Sequence, residues 1–289
     1  MGWGDDVPRD IRMVWDSLCG PGLLYKLERQ FWLDLYRVPV LDAIEEDGIE
    51  TRHYGPIRAM VNPDLARLPL FNVVLGASDP GAVEEGHLAE ALDWIDSKQI
   101  DCRVPVRPEF EESGAAEDHL NHRGYRRSGQ LLRFVRDAAP PPFSSPPEIE
   151  VDEWTEEAEG FSGLFSPALE LDWLSNPFFD GLPGRRDWRC YVAYDPALDL
   201  ATGAAIMMQH YEVAQLGFVA TIEEGQGRGA HMALLHRRIV DAAAAGARLI
   251  FADVEVPAGT ASSDSASARN LIRAGFSLAG VRPVWRPPA

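Results

Sequence analysis

The sequence predicts an α/β (α+β) protein of two related domains, each a mixed, mostly antiparallel sheet flanked by helices. Three observations carry this. Strands of antiparallel character precede a strand–helix–strand unit in the second half, a proline-rich seam lies near the midpoint, and both halves end in the same residue pattern.

The seam is "AAPPPFSSPPEIE", residues 138–150. Proline fixes φ and supplies no backbone donor, so this stretch can continue neither a helix nor a central strand. It divides the chain into residues 1–137, a linker at 138–148, and residues 149–289. The repeat is "LNHRGYRRSGQLLRFVR" (120–136) against "LIRAGFSLAGVRPVWR" (271–286). An offset of 151 superposes Leu120 on Leu271, Gly124 on Gly275, Tyr125 on Phe276 and Gly129 on Gly280. Each copy reads as a helix end, a glycine in the left-handed cap position, an aromatic opening a strand, then a bend and a second strand.

In the second half, "IEVDEWT" (149–155) is a strand, and residues 156–183 hold one or two helices broken at Pro167 and Pro177. "WRCYVAYD" (188–195) and "ATGAAIMMQ" (201–209) are paired strands, and "EVAQLGFVAT" (212–221) is a third. A helix ending at Gly246 follows, then a buried strand "RLIFADVEV" (248–256), a short helix "SARNLIRA" (267–274) and the closing strands. "SSDS" (262–265) caps that short helix, since Ser and Asp accept from free N–H groups there. In the first half helices are expected near 9–18 and 22–36, and strands near 49–54 and 70–76. "GAVEEGHLAEALDWIDSKQ" reads as a helix and "IDCRVPVRP" as a strand.

Composition narrows the function. With 46% hydrophobic and 25% charged residues, 289 residues can bury a sizeable core. No apolar run approaches the ~18 residues of a membrane span, and the acidic start "MGWGDDVPRD" lacks the character of a secretory signal. Gly2 is followed by Asp6 where a myristoylation motif needs Ser or Thr. A net charge of −18 argues against nucleic acid and anionic membranes as partners and suits a cationic small molecule. Cys19, Cys102 and Cys190 are far apart and unpaired by motif, so no metal site is expected and a reducing cytoplasm fits.

The chemistry concentrates in "EEGQGRGAHMALLHRRI" (223–239), between a strand and a helix. Helix N-termini present unpaired N–H groups and partial positive charge, which favour anionic oxygens. Gly225, Gly227 and Gly229 let the backbone curl close to a ligand, and Arg228 adds positive charge. Met232, Leu235, Ile239 and Ala242 share the face that packs the helix on the sheet. The pattern is a pyrophosphate cradle made mostly of backbone. No Gly-Lys-Ser/Thr follows, as a Walker loop needs, the G-x-G-x-x-G of a dinucleotide fold is missing, and no G-x-S-x-G nucleophile occurs.

Gln226-Gly227-Arg228-Gly229-Ala230 resembles the Q/R-x-x-G-x-G/A motif of the GNAT superfamily, the acyl-CoA-dependent N-acyltransferases. The strand "AQLGFVAT", the continuation "ALLHRRIVDAAAAGA" and the tail "SARNLIRAGFSLAGVRPVWR" resemble a bacterial branch of it, over residues 149–287. The first half resembles a degenerate copy that keeps the terminal Gly-aromatic element and lacks the loop. The resemblance implies a tandem N-acetyltransferase that binds acetyl-CoA and acetylates a primary amine by direct attack in a ternary complex. It places the cofactor on Leu216, Phe218, Val219, Gln226, Gly227, Arg228, Gly229, Ala230, His231 and Asn270.

Departures from the motif bear on catalysis. His231 stands where Gly or Ala is usual, Leu271 where many members carry an acid tyrosine, and Gln215 at a common position of the general base. Amine attack requires a neutral amine, hence a carboxylate or a water held by one. Glu212 is taken first, provided a strand bulge turns it inward, then Glu255, with Asp253 beside it. Tyr211 or Tyr194 would protonate the departing thiolate, and Trp173, Phe178 and Phe179 are expected to wall the acceptor pocket. The rival reading is an acyl-CoA-binding pseudoenzyme acting as a sensor, and the assembly is expected to be a monomer or homodimer.

Overall fold

The computed structural model describes residues 21–38, 48–108, 110, 113–155, 160–165, 176–261 and 264–288. Helix α1 (Pro21–Leu35) has proline at its first position, where no N–H is needed, and buries Leu24, Leu27, Phe31 and Leu35 at helical spacing. Strands β1 (Glu50–Tyr54), β2 (Ile57–Val61) and β3 (Val73–Leu75) form a three-stranded antiparallel sheet. Helix α2 (His87–Lys98) buries Leu88, Ala91, Leu92 and Ile95. The short strand β4 (Val104–Pro105), helix α3 (Ser113–His122) and the long strand β5 (Arg126–Asp137) complete the first half.

After the proline-rich segment come β6 (Glu150–Trp154), helix α4 (Asn176–Asp180), and β7 (Trp188–Asp195), β8 (Leu200–His210) and β9 (Val213–Thr221). Helix α5 (Ala230–Ala244), β10 (Leu249–Pro257), α6 (Ala266–Arg273) and β11 (Ser277–Arg286) close the chain. Ser265 caps α6 through its side-chain oxygen, as expected. The helix expected at 9–18 lies outside the described residues, as does much of 156–175. Strand β2 escaped the sequence reading, and the expected bend near Gly280 is a register shift within one continuous strand, β11.

Eight strands form one sheet in the order β4-β11-β5-β10-β9-β8-β7-β6. The proline seam does not divide it. Strand β5 of the first half lies between β10 and β11 of the second, pairing from Leu249↔Asp137 to Pro257↔Gly129 on one side and from Ser277↔Val135 to Arg286↔Arg126 on the other. Strand β11 in turn lies between β5 and β4. The exchange is reciprocal. Gly129 pairs with Val284 and Arg133 with Gly280, so residues related by the 151-residue repeat exchange places about a pseudo-two-fold axis. Beyond this block, β3 meets β4 through a parallel bridge, Val73↔Arg103, and β10 meets β9 in the sheet's parallel ladder.

A buried ionic cluster locks the exchanged strands to α1. Arg133 of β5 donates to Asp253 of β10 from Nε (2.9 Å) and Nη2 (2.6 Å), and to Glu28 of α1 from Nη2 (2.9 Å). Arg282 of β11 donates from Nη1 to both Glu28 oxygens (3.0 and 2.8 Å) and from Nη2 to Asp253 (3.0 Å). Both guanidiniums and Glu28 are buried, and the set is formally neutral. Burial alone would raise the Glu28 pKa, but the charges of Arg282 and Arg133 more than offset it and hold the carboxyl well below its ordinary 4.5. Removing one partner of such a cluster strands the others without water, at about 3–5 kcal/mol.

Because the folded-state pKa of Glu28 is depressed, its stabilisation is fully present above about pH 4.5 and is lost as pH falls toward 2. Denaturant unfolding followed across that window is expected to show this loss. Glu28→Gln is expected to lose about 3–5 kcal/mol at neutral pH and to flatten the acid slope. An unchanged slope in the variant would remove Glu28 from the account.

Candidate functional site

The parallel ladder between β9 and β10 runs only from Leu249↔Val213 to Ala252↔Leu216. Past those residues the strands separate, and a cavity of about 290 Å³ opens between them. The cause lies on both sides. Strand β10 follows β5 along its full length to Pro257, while β9 follows β8 and is bulged. Ala205 pairs with Val219 and Met207 with Leu216, so Gly217 and Phe218 together oppose Ile206. A Cβ at Gly217 would lie 2.8 Å from the Phe31 ring and 2.9 Å from Ile206, so the bulge and α1 pack only with glycine there.

The cavity passes between the two layers of helices. One side is formed by His231, Leu235 and Arg238 of α5 with Ser267 and Leu271 of α6, the other by Glu28, Phe31 and Trp32 of α1 with Leu70 and Arg103. Its edges are Gln215–Val219 and Ala252–Glu255. Two larger open grooves, of about 520 and 600 Å³, lie at the β6–β7 edge and beside Arg286, away from the glycine loop.

The glycine loop leads from β9 into α5. A single 3₁₀ turn (Glu223–Gly225) precedes Gln226, Gly227 has φ +73° and Gly229 has φ +99° at the N-cap. No side chain caps α5, whose first helical bond runs from the Ala233 N–H to the Gly229 carbonyl. The N–H groups of Ala230, His231 and Met232 therefore lack intrahelical partners.

The three glycines answer to different needs than the sequence suggested. A Cβ on Gly225 would lie 2.6 Å from the Thr202 Cβ, and one on Gly229 would meet Pro146 at 3.1 Å. Those two residues serve internal packing, whereas Gly227 faces open space. Arg228 is likewise not a free charge. Its Nε donates to the buried Asp195 carboxylate at 2.5 Å, and that contact, offsetting burial, lowers the Asp195 pKa.

Of the expected contact residues, Leu216, Phe218, Val219 and His231 line the cavity, and Asn270 reaches His231, its Nδ2 lying 3.2 Å from Nδ1. Burial, with the nearby Arg238 charge, pushes His231 down to about 4, so the ring is neutral at neutral pH. Glu255 also lines the cavity, accepting from Arg103 Nη1 at 2.5 Å. Asp253 accepts from Arg133 and Arg282 through both oxygens.

Glu212 and Tyr211 are placed elsewhere. The bulge falls at Gly217 and Phe218, beyond Gln215, so none intervenes between Glu212 and Gln215 to turn Glu212 inward. Glu212 sits at the paired end of β9, half-exposed and 3.6 Å from Arg248. Tyr211 is 85% exposed at positive φ in the β8–β9 turn and borders the separate groove at the β6–β7 edge. Tyr194 is bonded to Asp199 on the surface. Phe178 and Phe179 are fully buried behind the cavity, packed on Phe71 and Phe218, and Trp173 lies outside the described residues.

Arg238, Trp32 and Arg103 are among the cavity residues that escaped the sequence reading. Arg238 carried a signal, for it interrupts an apolar helical stripe with Leu234, Leu235, Ile239 and Ala242. Trp32 and Arg103 come from the first half, and only the exchanged sheet brings them here. Among the described residues no group of three His, Cys, Asp or Glu side chains could hold a metal, and no helix is long and apolar enough to cross a membrane.

No protein-family model matches the chain, and no curated protein matches it. Solved structures do. A GCN5-related N-acetyltransferase from Sphaerobacter thermophilus superposes with a TM-score of 0.59 at 16% identity, over 80% of each chain. One from Kribbella flavida gives 0.54 at 13% identity, over 86% of this chain and 93% of its own. A tandem GNAT protein from the clavulanic acid biosynthesis pathway gives 0.52 at 16% identity, over 81% of this chain and 79% of its own. At these identities the likeness is one of fold: the chain has the fold of the GCN5-related N-acetyltransferases, including that of a tandem member.

Proposed function

We propose that the chain is an acyltransferase that moves an acetyl group from acetyl-CoA to a primary amine in the cleft between β9 and β10. The observation that carries this is the cavity at the strand splay, opening beside an uncapped helix N-terminus. The open face of Gly227 and the free N–H groups of Ala230, His231 and Met232 suit a pyrophosphate. Backbone groups of Gly217–Val219, which have no ladder to β10, suit the amide arm of the donor and the thioester carbonyl. The donor supplies an activated acyl group, and the remaining work falls to the chain.

The acceptor enters from the α1 side. Phe31, Trp32 and Leu70 give it an apolar wall, and Glu28, Asp253 and Glu255 place carboxylates there. The oxygens of Asp253 and Glu28 are taken up by Arg133 and Arg282, so Glu255 is assigned to receive the amine proton, directly or through water. Arg103 donates to Oε2 of Glu255 and stacks on Trp32 at 4.9 Å, which fixes the carboxylate against the wall. The net charge of −18 favours a cationic acceptor.

The first half is assigned a supporting role without a second donor site. Before α2 the chain folds back on itself, so that the Leu88 N–H is taken by the Ala82 carbonyl, and Asp79 is bound by Arg29 and Arg107. The sensor reading keeps one observation: Gln215, at the expected base position, is buried in the cavity and can accept no proton.

Thiol release from acetyl-CoA across a panel of amines tests the proposal. Turnover is expected with a cationic amine, and Glu255→Gln is expected to lower kcat by about 10²-fold or more while leaving acetyl-CoA binding intact. Binding without turnover for any amine would favour the sensor. Calorimetric titration with CoA tests the loop. Gly227→Val is expected to weaken binding at least about tenfold by strain at positive φ and by bulk on the open face. Gly229→Ala is expected chiefly to lower thermal stability, through contact with Pro146. Equal CoA affinities for wild type and Gly227→Val would remove the loop from the donor site.

A further inference from the structure

Arg238 is 2% exposed and lines the cavity, yet none of its hydrogen-bond partners is a carboxylate. Its Nε donates to the Leu234 carbonyl (3.2 Å), and Nη1 to the carbonyls of Ile206 (3.2 Å) and Gly217 (3.5 Å). The last two belong to the bulge and to the residue opposite it. The guanidinium thus sits at the closed end of the splay, about 12 Å along α5 from the free N–H groups of its first turn. The other three arginines near the cavity are compensated: Arg103 by Glu255, and Arg133 and Arg282 by Glu28 and Asp253.

An uncompensated buried cation is costly. Burial lowers the Arg238 pKa to about 10, still far enough above neutrality to keep the charge. Its field reaches the cavity, since the same charge depresses His231. Among the described residues neither tyrosine nor cysteine lines the cavity, so no phenol or thiol of theirs is placed to protonate a thiolate as it departs.

We propose that Arg238 is a catalytic residue that stabilises the departing CoA sulfur as a thiolate, an assignment that rests on the acyltransferase reading above. The amine nitrogen attacks the thioester carbonyl carbon and the C–N bond forms. The C–S bond breaks with its electron pair on sulfur, and the amine proton passes to Glu255 or to water. Arg238 remains protonated throughout and supplies the positive charge that the pair needs. The groups facing the sulfur are then Arg238 and neutral His231 from α5, Ser267 from α6, the compensated carboxylates Asp253 and Glu255 from β10 and Glu28 from α1, and Arg103 beside β4. Arg238 is the one among them that brings unopposed charge.

The test is the thiol pKa of enzyme-bound CoA, read from the ultraviolet absorbance of its thiolate across pH, with binding measured separately by calorimetry. In wild type the bound thiol is expected to ionise about 1–3 pH units below free CoA. Arg238→Gln keeps an amide donor for the bulge carbonyls but no charge, and is expected to return the thiol to its free value. Arg238→Lys keeps the charge and is expected to retain most of the effect. In turnover, Arg238→Gln is expected to lower kcat by about 10²–10³-fold with little change in KM. A bound thiol that ionises like free CoA in wild type, or a lowered value that survives in Arg238→Gln, overturns the assignment and leaves the acyltransferase reading standing. Failure of wild type to bind CoA overturns both. Should Arg238→Gln not fold, the wild-type titration against Arg238→Lys decides: an ordinary thiol in wild type, or an effect that does not follow the retained charge, sinks the proposal.

Discussion

The reciprocal exchange of β5 and β11, closed by the buried Glu28–Arg133–Arg282–Asp253 cluster, is the constraint on which the rest of the structure depends. Hydrogen-bonded ladders alone would hold β5 between its neighbours but would not bring a helix over them. The cluster does so, because Glu28 is the sole member outside the sheet and both guanidiniums reach for it. Ion pairs of this kind add little net stability over apolar packing, yet they penalise any arrangement that leaves a member unpaired. Register is therefore well specified: slipping β5 by one residue would turn Arg133 to the opposite face of the sheet.

That constraint produces the cleft. Strand β10 is held to β5 through Pro257, so it cannot follow β9 once the bulge at Gly217 and Phe218 increases the local twist. The separation begins where the bulge does, and Arg238 donates to the carbonyls of Gly217 in the bulge and Ile206 opposite it. Phe31 of α1 presses on Gly217 from the other face. A single strand irregularity is thus held from both helical layers, and the same residues that hold it line the cavity.

How much of this the sequence revealed follows from the range of each interaction. The glycine loop, the strand before it and the helix after it were legible because capping and periodicity act within a few residues. The 151-residue repeat was legible too, and its pairing as an exchanged sheet was not, since the pattern of β5 alone does not say which strands flank it. The misplacement of Glu212 has the same origin. Its inward orientation required a bulge between it and Gln215, whereas the observed bulge lies at Gly217 and Phe218, packed against Phe31 from far away in the chain. Gly225 and Gly229 were assigned to a ligand for want of Thr202 and Pro146, which fold back onto them. Glu255, its partner Arg103 and the unpaired Arg238 show the general limit: a charge's role depends on what neutralises it, and the neutralising group is usually distant in sequence.

The two halves also show how one architecture can end in different helix termini. In each, a parallel pair of strands is followed by a connection into a helix, β3 to α2 and β9 to α5. Both helices begin after a glycine at positive φ, and both carry partial positive charge at that end. Before α5, Arg228 is paired with Asp195 and Glu223 and Glu224 stand exposed, while the N–H groups of Ala230, His231 and Met232 have no intrahelical partner. Before α2, Glu84 and Glu85 stand exposed, and Arg107 turns inward to Asp79 and stacks over Tyr25 at 4.2 Å. Exposed carboxylates thus precede both helices, and the halves differ at the N–H groups: in α2 the Leu88 N–H is already taken by the Ala82 carbonyl at 2.7 Å. The same backbone device is left open in one half and partly closed by its own chain in the other, and the difference rests on how the preceding loop folds back.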